Sequence, residues 1–142
     1  MTDRETRMAD MAQGDSAPGV AGGPRLMLRL EGLTLFLGAI VAFSMTEQPW
    51  WLFALLILAP DLSMAGYLAG NRVGALVYNA AHVTLGPIVL TVVGLLLSDL
   101  PMLGVAMIWL AHIGIDRALG YGLKYDNGFG FTHLGRIGRS AT

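Results

Sequence analysis

The sequence has no cysteine and few charged residues. Its 142 residues include nine Lys and Arg and ten Asp and Glu, so that charged residues make up 13% of the chain. Without thiols the chain forms no disulfide bond, performs no thiol catalysis and offers no thiolate ligand to a metal. Soluble domains carry about 25% charged residues, and the formal net charge of −1 argues against a nucleic-acid partner. The scarcity of charge therefore indicates a protein that is not an ordinary soluble domain.

Hydrophobic residues make up 54% of the chain, and the mean hydropathy is +0.59. Four apolar stretches lie at about 26–45, 50–69, 73–97 and 101–121. Each approaches the roughly 20 residues that a helix needs to cross the hydrocarbon core of a bilayer. Stretches such as WWLFALLILAP and GPIVLTVVGLLL lack the polar face that a helix of a soluble bundle would carry. The sequence therefore predicts an all-α integral membrane bundle of four transmembrane helices.

The connections TEQP, AGNR and SDL are short, which predicts up-down topology with antiparallel neighbours. The first and third connections carry only Glu47 and Asp99 as charged residues. All Lys and Arg lie in the N-terminal segment, in the second connection or from the end of the fourth stretch onward: Arg4, Arg7, Arg25, Arg29, Arg72, Arg117, Lys124, Arg136 and Arg139. The positive-inside rule then predicts that both termini are cytoplasmic. We expect a multi-pass protein of the bacterial inner membrane whose partners are membrane lipids, with a homo-oligomer left open.

The two ends of the chain differ from the bundle, which spans residues 25–122. Residues 1–24 are polar, rich in Gly and Ala and without periodicity, which predicts a disordered tail. Residues 123–142 are Gly-rich and basic, which predicts a cytoplasmic loop. Three roles for this loop are open. It can lie on the anionic inner leaflet, or its backbone and basic side chains can hold an anion such as a lipid phosphate. It can also cap the polar centre of the bundle and add His133 to it as a third imidazole.

Ionisable residues occur at a common depth in three of the predicted spans. Counted at 1.5 Å per residue, Asp61, His82 and His112 lie roughly 15–18 Å from the cytoplasmic ends of their helices. Asp116 follows His112 by four residues and shares its helix face. An ionised group at this depth costs about 2.5–3.5 kcal/mol, so we expect these four side chains to face one another. Supporting candidates lie nearer the cytoplasmic side or beyond it: Glu31, Ser63, Tyr78, Asn79, Arg117, Lys124 and His133.

Three interpretations of this cluster are open. Two imidazoles and two carboxylates are suitable ligands for zinc, iron or manganese, with Tyr78 or Asn79 supporting them. The cluster can instead form a proton or small-solute pathway in an oligomer, or a hydrogen-bonded structural core. The leading hypothesis is a metal-dependent, hydrolase-like intramembrane enzyme that activates water against a lipid-like ester, amide or phosphate. In it, Asp61, His82, His112 and Asp116 hold the metal, and Asp116 and Asp61 are the catalytic carboxylates.

Five motifs resemble, in order, an uncharacterised family of small bacterial membrane proteins known as a domain of unknown function. They are RLEG (29–32), APDLSM (59–64), GALVYNAAH (74–82), HIGIDRALGYGLKY (112–125) and THLGRIGR (132–139). The resemblance covers about residues 25–139 and implies a shared site at Glu31, Asp61, Asn79, His82, His112, Asp116, Arg117, Lys124 and His133. It implies no activity. The site is also similar to that of intramembrane zinc hydrolases, but their motif spacing and helix count differ, so this likeness is an analogy.

Overall fold

The computed structural model describes residues 2, 4–5 and 19–138. Within this part of the chain, four helical segments are long and apolar enough to cross a membrane: Gly22–Ser44, Trp50–Ala69, Asn71–Leu97 and Leu100–Leu119. The predicted all-α fold with four spans is confirmed, and it indicates a multi-pass membrane protein. The first helix begins inside the segment expected to be a disordered tail. Most of that segment, residues 1, 3 and 6–18, lies outside the described residues, as do 139–142.

Two of the four spans are interrupted, so residues 19–138 form five α-helices, one 3₁₀ helix and two short strands. These elements are α1 (Gly22–Ser44), α2 (Trp50–Leu56), the 3₁₀ helix (Ala59–Ala69), α3 (Asn71–His82), α4 (Leu85–Leu97), α5 (Leu100–Leu119), β1 (Phe131–Thr132) and β2 (Gly135–Arg136). The connections between spans are short, so consecutive spans run antiparallel.

The second span changes from α2 to the 3₁₀ helix around Pro60. In a 3₁₀ helix the N–H of residue 60 would bond to the Ile57 carbonyl, but proline has no N–H. The next N–H, that of Asp61, donates to the Leu58 carbonyl at 3.1 Å. The break therefore leaves the Ile57 carbonyl free for a side chain inside the bundle.

The third span is broken at Val83, whose extended backbone (φ −85°, ψ 140°) separates α3 from α4. Pro87 lies four residues later, and its ring would clash with the Val83 carbonyl in a continuous helix. The break frees the carbonyl of Ala81, which accepts a hydrogen bond from Trp109 Nε1 at 2.6 Å. Both breaks thus leave carbonyls that side chains of α5 can satisfy, as a non-helical backbone at membrane depth requires.

Helix α5 lies at the centre of the bundle and has the longest set of buried residues: Gly104, Ala106, Ile108, Ala111, His112, Ile113 and Gly114. It packs closely against α1 because glycines face each other. A Cβ at Gly114 would lie 2.6 Å from Phe36 N, and one at Gly32 would lie 2.7 Å from Ala118 N. Small residues permit such close approach of membrane helices. The large apolar side chains of the other helices are mostly exposed, as expected for lipid-facing surfaces.

The chain after α5 folds back onto the bundle. Strands β1 and β2 pair antiparallel, and Lys124 forms an isolated bridge with Thr132. Leu134, in the turn between the strands, is fully buried, and the His133 carbonyl accepts from Val20 N–H at 2.8 Å. The predicted loop therefore contains a short hairpin that is packed against the bundle and anchored to the segment before α1.

Candidate metal centre

Four donor atoms from three spans converge inside the bundle. Asp61 comes from the 3₁₀ helix, His82 from the last position of α3, and His112 and Asp116 from α5. One ligand atom from each residue lies within 4.8 Å of all the others. The sequence analysis predicts a common depth for Asp61, His82 and His112 and places Asp116 on the same helix face as His112; the structure brings all four together.

The distances between these atoms approximate a tetrahedron. Nε2 of His82 lies 3.5 Å from Asp61 Oδ1 and from Asp116 Oδ2, and Nε2 of His112 lies 3.5 Å from the same two oxygens. The two Nε2 atoms are 3.0 Å apart. Zinc bonds of about 2.0–2.2 Å to nitrogen and oxygen in tetrahedral geometry imply ligand separations of about 3.3–3.6 Å. Four of the six edges fall in this range, and the Nε2–Nε2 edge needs a small expansion. The sixth edge, between the two carboxylate oxygens, is at most 4.8 Å, and a bound ion would draw these oxygens together.

Backbone hydrogen bonds fix the tautomer of both imidazoles. Nδ1 of His82 lies 2.8 Å from the Tyr78 carbonyl, and Nδ1 of His112 lies 2.6 Å from the Ile57 carbonyl freed by the helix break. A carbonyl only accepts, so each Nδ1 carries the proton and each neutral ring presents a lone pair at Nε2. Two neutral rings would face each other with Nε2 lone pairs 3.0 Å apart, so either a proton or a metal ion must lie between the two nitrogens. A histidine that donates its other N–H to a carbonyl is the usual arrangement of a metal ligand.

The two carboxylates differ in how firmly they are held. The side chain of Asp116 is 17% exposed, and its Oδ2 accepts a hydrogen bond from the Tyr78 hydroxyl at 3.4 Å. Tyr78 is itself fixed by stacking on His82, with ring centroids 3.7 Å apart. The side chain of Asp61 is 32% exposed, and apart from the imidazoles it has no polar partner among the described residues. Asp61 is therefore the more easily displaced of the two.

A cavity of about 190 Å³ borders the two carboxylates on the side of the second connection and the hairpin. It is lined by Asp61, Met64, Tyr78, Asp116, Tyr121, Lys124 and Phe129. Three of these side chains, Met64, Tyr121 and Phe129, are exposed. The cavity thus has a polar inner end at the four donor atoms and an apolar, aromatic outer end.

The hairpin segment places one buried ammonium group in this cavity. Lys124 is 5% exposed, and its Nζ donates to the Phe129 carbonyl at 2.9 Å and lies 3.3 Å from the centre of the Phe129 ring. Its backbone is fixed by Asn79, whose Nδ2 donates to the Lys124 carbonyl at 2.8 Å and whose Oδ1 accepts from the Lys124 N–H at 2.7 Å. Burial lowers the pKa of Lys124 to about 8, against the opposing attraction of Asp116 and Asp61.

Two of the predicted supporting residues, Glu31 and His133, lie apart from the four donors. They line a separate cavity of about 150 Å³ between α1, α5 and the hairpin. Arg117 borders both this cavity and a small one of about 10 Å³ beside His82 and Asp116. Nδ1 of His133 accepts a hydrogen bond from the Leu123 N–H at 2.8 Å, and burial, followed by the nearby Arg117, lowers the pKa of His133. The structure does not bring His133 into the four-donor group. Ser63 lines none of these cavities, and its buried Oγ has no hydrogen-bond partner among the described residues.

Some residues that shape the site were not predicted from the sequence. Phe129 contacts the ammonium of Lys124, and its ring packs edge-on against Tyr67, with centroids 5.3 Å apart. The Ile57 carbonyl orients His112. Pro60 was a signal for that carbonyl because a proline within a helix releases a hydrogen-bond acceptor. No sequence signal connects Phe129 to the cluster, since their proximity depends on the hairpin.

The chain belongs to the family described as a domain of unknown function, DUF4260, whose model matches residues 25–137. The predicted membership of an uncharacterised domain family is therefore confirmed. Comparisons with curated proteins and with solved structures give no match.

Proposed function

We propose that this protein binds one divalent metal ion, zinc in the first place, through Asp61, His82, His112 and Asp116, and uses it to hydrolyse an amphipathic, lipid-like substrate. The observation that carries the proposal is the convergence of two Nε2 lone pairs at 3.0 Å, each fixed by a backbone carbonyl at Nδ1. A divalent cation among these atoms removes their repulsion and neutralises the two carboxylates. Zinc accepts this donor set at these separations, and iron and manganese are the other candidates.

A purely structural role fits the site less well. A hydrogen-bonded core would need an additional proton between the two Nε2 atoms, because the proton on each Nδ1 is donated outside the cluster. A structural core also needs no cavity, yet about 190 Å³ of space borders the two carboxylates.

Catalysis requires an open position on the metal, because a tetrahedral zinc with four protein ligands is closed. Asp61 is the ligand that we propose to leave, since it is more exposed than Asp116 and lacks the hydrogen bond that Tyr78 gives to Asp116. A water in the vacated position would be acidified by the metal, and the Asp61 carboxylate beside it is placed to accept the proton. Asp116 then acts as the retained fourth ligand.

The substrate is proposed to reach the metal from the cytoplasmic leaflet. The positive-inside rule predicts that the second connection and both termini are cytoplasmic, and the cavity lies on the side of the cluster nearer to them. Its exposed outer residues, Met64, Tyr121 and Phe129, suit the apolar part of an amphipathic molecule, while its inner end is polar. We further propose that the membrane is the bacterial inner membrane.

A transport role is the second candidate, favoured by the helix breaks around Ile57 and Val83. Broken helices at membrane depth form the ion and substrate sites of many transporters. On the opposite side of the cluster, however, the adjoining cavity of about 230 Å³ is lined by apolar residues: Leu56, Ala59, Pro60, Ala81, Val105, Ile108 and Trp109. A polar solute would have to cross this apolar region, so we place transport below hydrolysis.

Metal analysis of the detergent-purified protein tests the proposal. We expect close to one zinc, iron or manganese per chain in the wild type and in His133→Ala, which removes the imidazole outside the four-donor group. We expect most of the metal to be lost in His112→Ala. Wild-type protein that remains metal-free after incubation with each ion would refute the metal site. Product release from bacterial lipid vesicles is then monitored by mass spectrometry, with chelated protein as the control. If the metal-loaded protein releases no product, the metal site stands and the lipid-hydrolase proposal is refuted.

A further inference from the structure

The cavity beside the four donor atoms contains a cation that the metal site does not use. Lys124 Nζ is buried, and its hydrogen bond to the Phe129 carbonyl employs one of the three N–H donors of an ammonium group. No carboxylate oxygen of the described residues lies within 4.0 Å of it. Burying an ammonium without a close counter-ion costs desolvation free energy. A ligand of opposite charge would offset this cost.

The chain fixes this ammonium in place through several contacts. The two hydrogen bonds with Asn79 hold the Lys124 backbone against α3, and the bridge to Thr132 holds it against the hairpin. The Tyr78 ring lies 4.7 Å from Nζ on one side and the Phe129 ring 3.3 Å on another. These contacts keep Nζ in the cavity that also contains Asp61 and Asp116.

Charge determines what the cavity can accept. In the metal-free protein, the negative charges of Asp61 and Asp116 offset the positive charge of Lys124 and repel an incoming anion. With a divalent ion bound, the two carboxylates are neutralised by the metal, and the charge of Lys124 has no counterpart in the cavity. The metal-loaded cavity therefore attracts an anion between the ammonium and the metal.

We propose that the metal-loaded cavity binds a phosphate group, with Lys124 as its anion-binding residue. This inference rests on the proposed metal site and names the class of its substrate. A lysine ammonium and a divalent metal together are a common pair of phosphate ligands. The phosphate can be the headgroup of a phospholipid, whose chains would leave past Met64 and Phe129, or a free phosphate from the cytoplasm.

Paramagnetic ³¹P NMR of the protein loaded with Co²⁺ tests this inference. Inorganic phosphate and dihexanoyl phosphatidic acid are titrated separately, with dihexanoyl phosphatidylcholine as a zwitterionic comparison and Zn²⁺-loaded protein as the diamagnetic control. We expect the phosphate signal to broaden in the wild type, and the affinity to fall at least tenfold in Lys124→Met. The matched control is Arg136→Met, which removes an exposed cation of the same hairpin and should bind as the wild type does.

The outcomes separate this inference from the metal site. Tighter binding of dihexanoyl phosphatidic acid than of inorganic phosphate identifies a lipid headgroup, and equal or weaker binding identifies free phosphate; both support the inference. If Lys124→Met takes up metal fully and binds phosphate as tightly as the wild type, or if the metal-loaded wild type binds neither phosphate, the anion site is refuted and the metal site stands. If no metal binds, the metal proposal fails, and the anion site fails with it.

Discussion

Replacing Asp61 by Asn should change the stability of this protein in opposite directions with and without metal. In the metal-free site two carboxylate oxygens lie at most 4.8 Å apart. At that separation two unit charges repel by about 3 kcal/mol at an effective dielectric constant of about 20. Because the Asp61 side chain is 32% exposed, solvent screening reduces the effect, and we expect a gain of about 1–2 kcal/mol from Asp61→Asn in chelator. With zinc present, the same change removes a charged ligand and should lower the stability.

Thermal unfolding in detergent, recorded in EDTA and in excess zinc, measures both effects. We expect Asp61→Asn to unfold at a higher temperature than the wild type in EDTA and at a lower temperature in zinc. Glu31→Gln is the matched control, since it removes a carboxylate outside the four-donor group and should shift both curves equally. If Asp61→Asn lowers the unfolding temperature by the same amount in both buffers, the carboxylates neither repel each other nor share a metal, and the reasoning is wrong.

Two further predictions concern the helices that hold the site. Trp109→Phe leaves the part-buried Ala81 carbonyl without its donor and should cost about 1–3 kcal/mol in equilibrium unfolding by SDS. Trp51→Phe at an exposed position should be near neutral, and equal effects of the two would contradict a role for the indole hydrogen bond. Gly114→Ala places a methyl group 2.6 Å from a backbone nitrogen of α1 and should cost about 1–3 kcal/mol in the same assay. The control is Gly38→Ala, whose methyl group meets nothing within 4 Å and should not destabilise the protein. A stable Gly114→Ala protein would show that α1 and α5 are not closely packed.

The four spans could be predicted from the sequence because hydropathy and length alone define a membrane helix. The convergence of the donors was also predicted from the sequence. Asp61, His82 and His112 are ionisable residues at one depth that would face each other inside the bundle, and Asp116 shares the helix face of His112. Counting residues to Asp61 and His82 was sufficient to predict that they lie close together, even though both lie on interrupted spans that depart from ideal helices. Depth is insensitive to a break of one or two residues.

The interruptions and the hairpin could not be predicted from hydropathy. A break at Val83 leaves the apolar character of the span unchanged, and its signal is the ring of Pro87 four residues later, a steric effect and not a hydrophobic one. The position of Lys124 depends on hydrogen bonds to Asn79, 45 residues earlier in the chain. Such long-range pairs leave no periodic pattern in the sequence.

The helix breaks and the metal site are two aspects of one arrangement. A regular second helix would keep the Ile57 carbonyl within its own hydrogen bonds, and His112 would then lose the acceptor that directs its Nε2 lone pair toward the cluster. Ending α3 at His82 places the negative end of the helix dipole beside the donors, where it favours a cation. The same 3₁₀ segment carries Asp61, the less constrained carboxylate. Pro60 therefore connects both requirements of a working centre: a fixed imidazole that holds the metal, and a movable carboxylate that can open it.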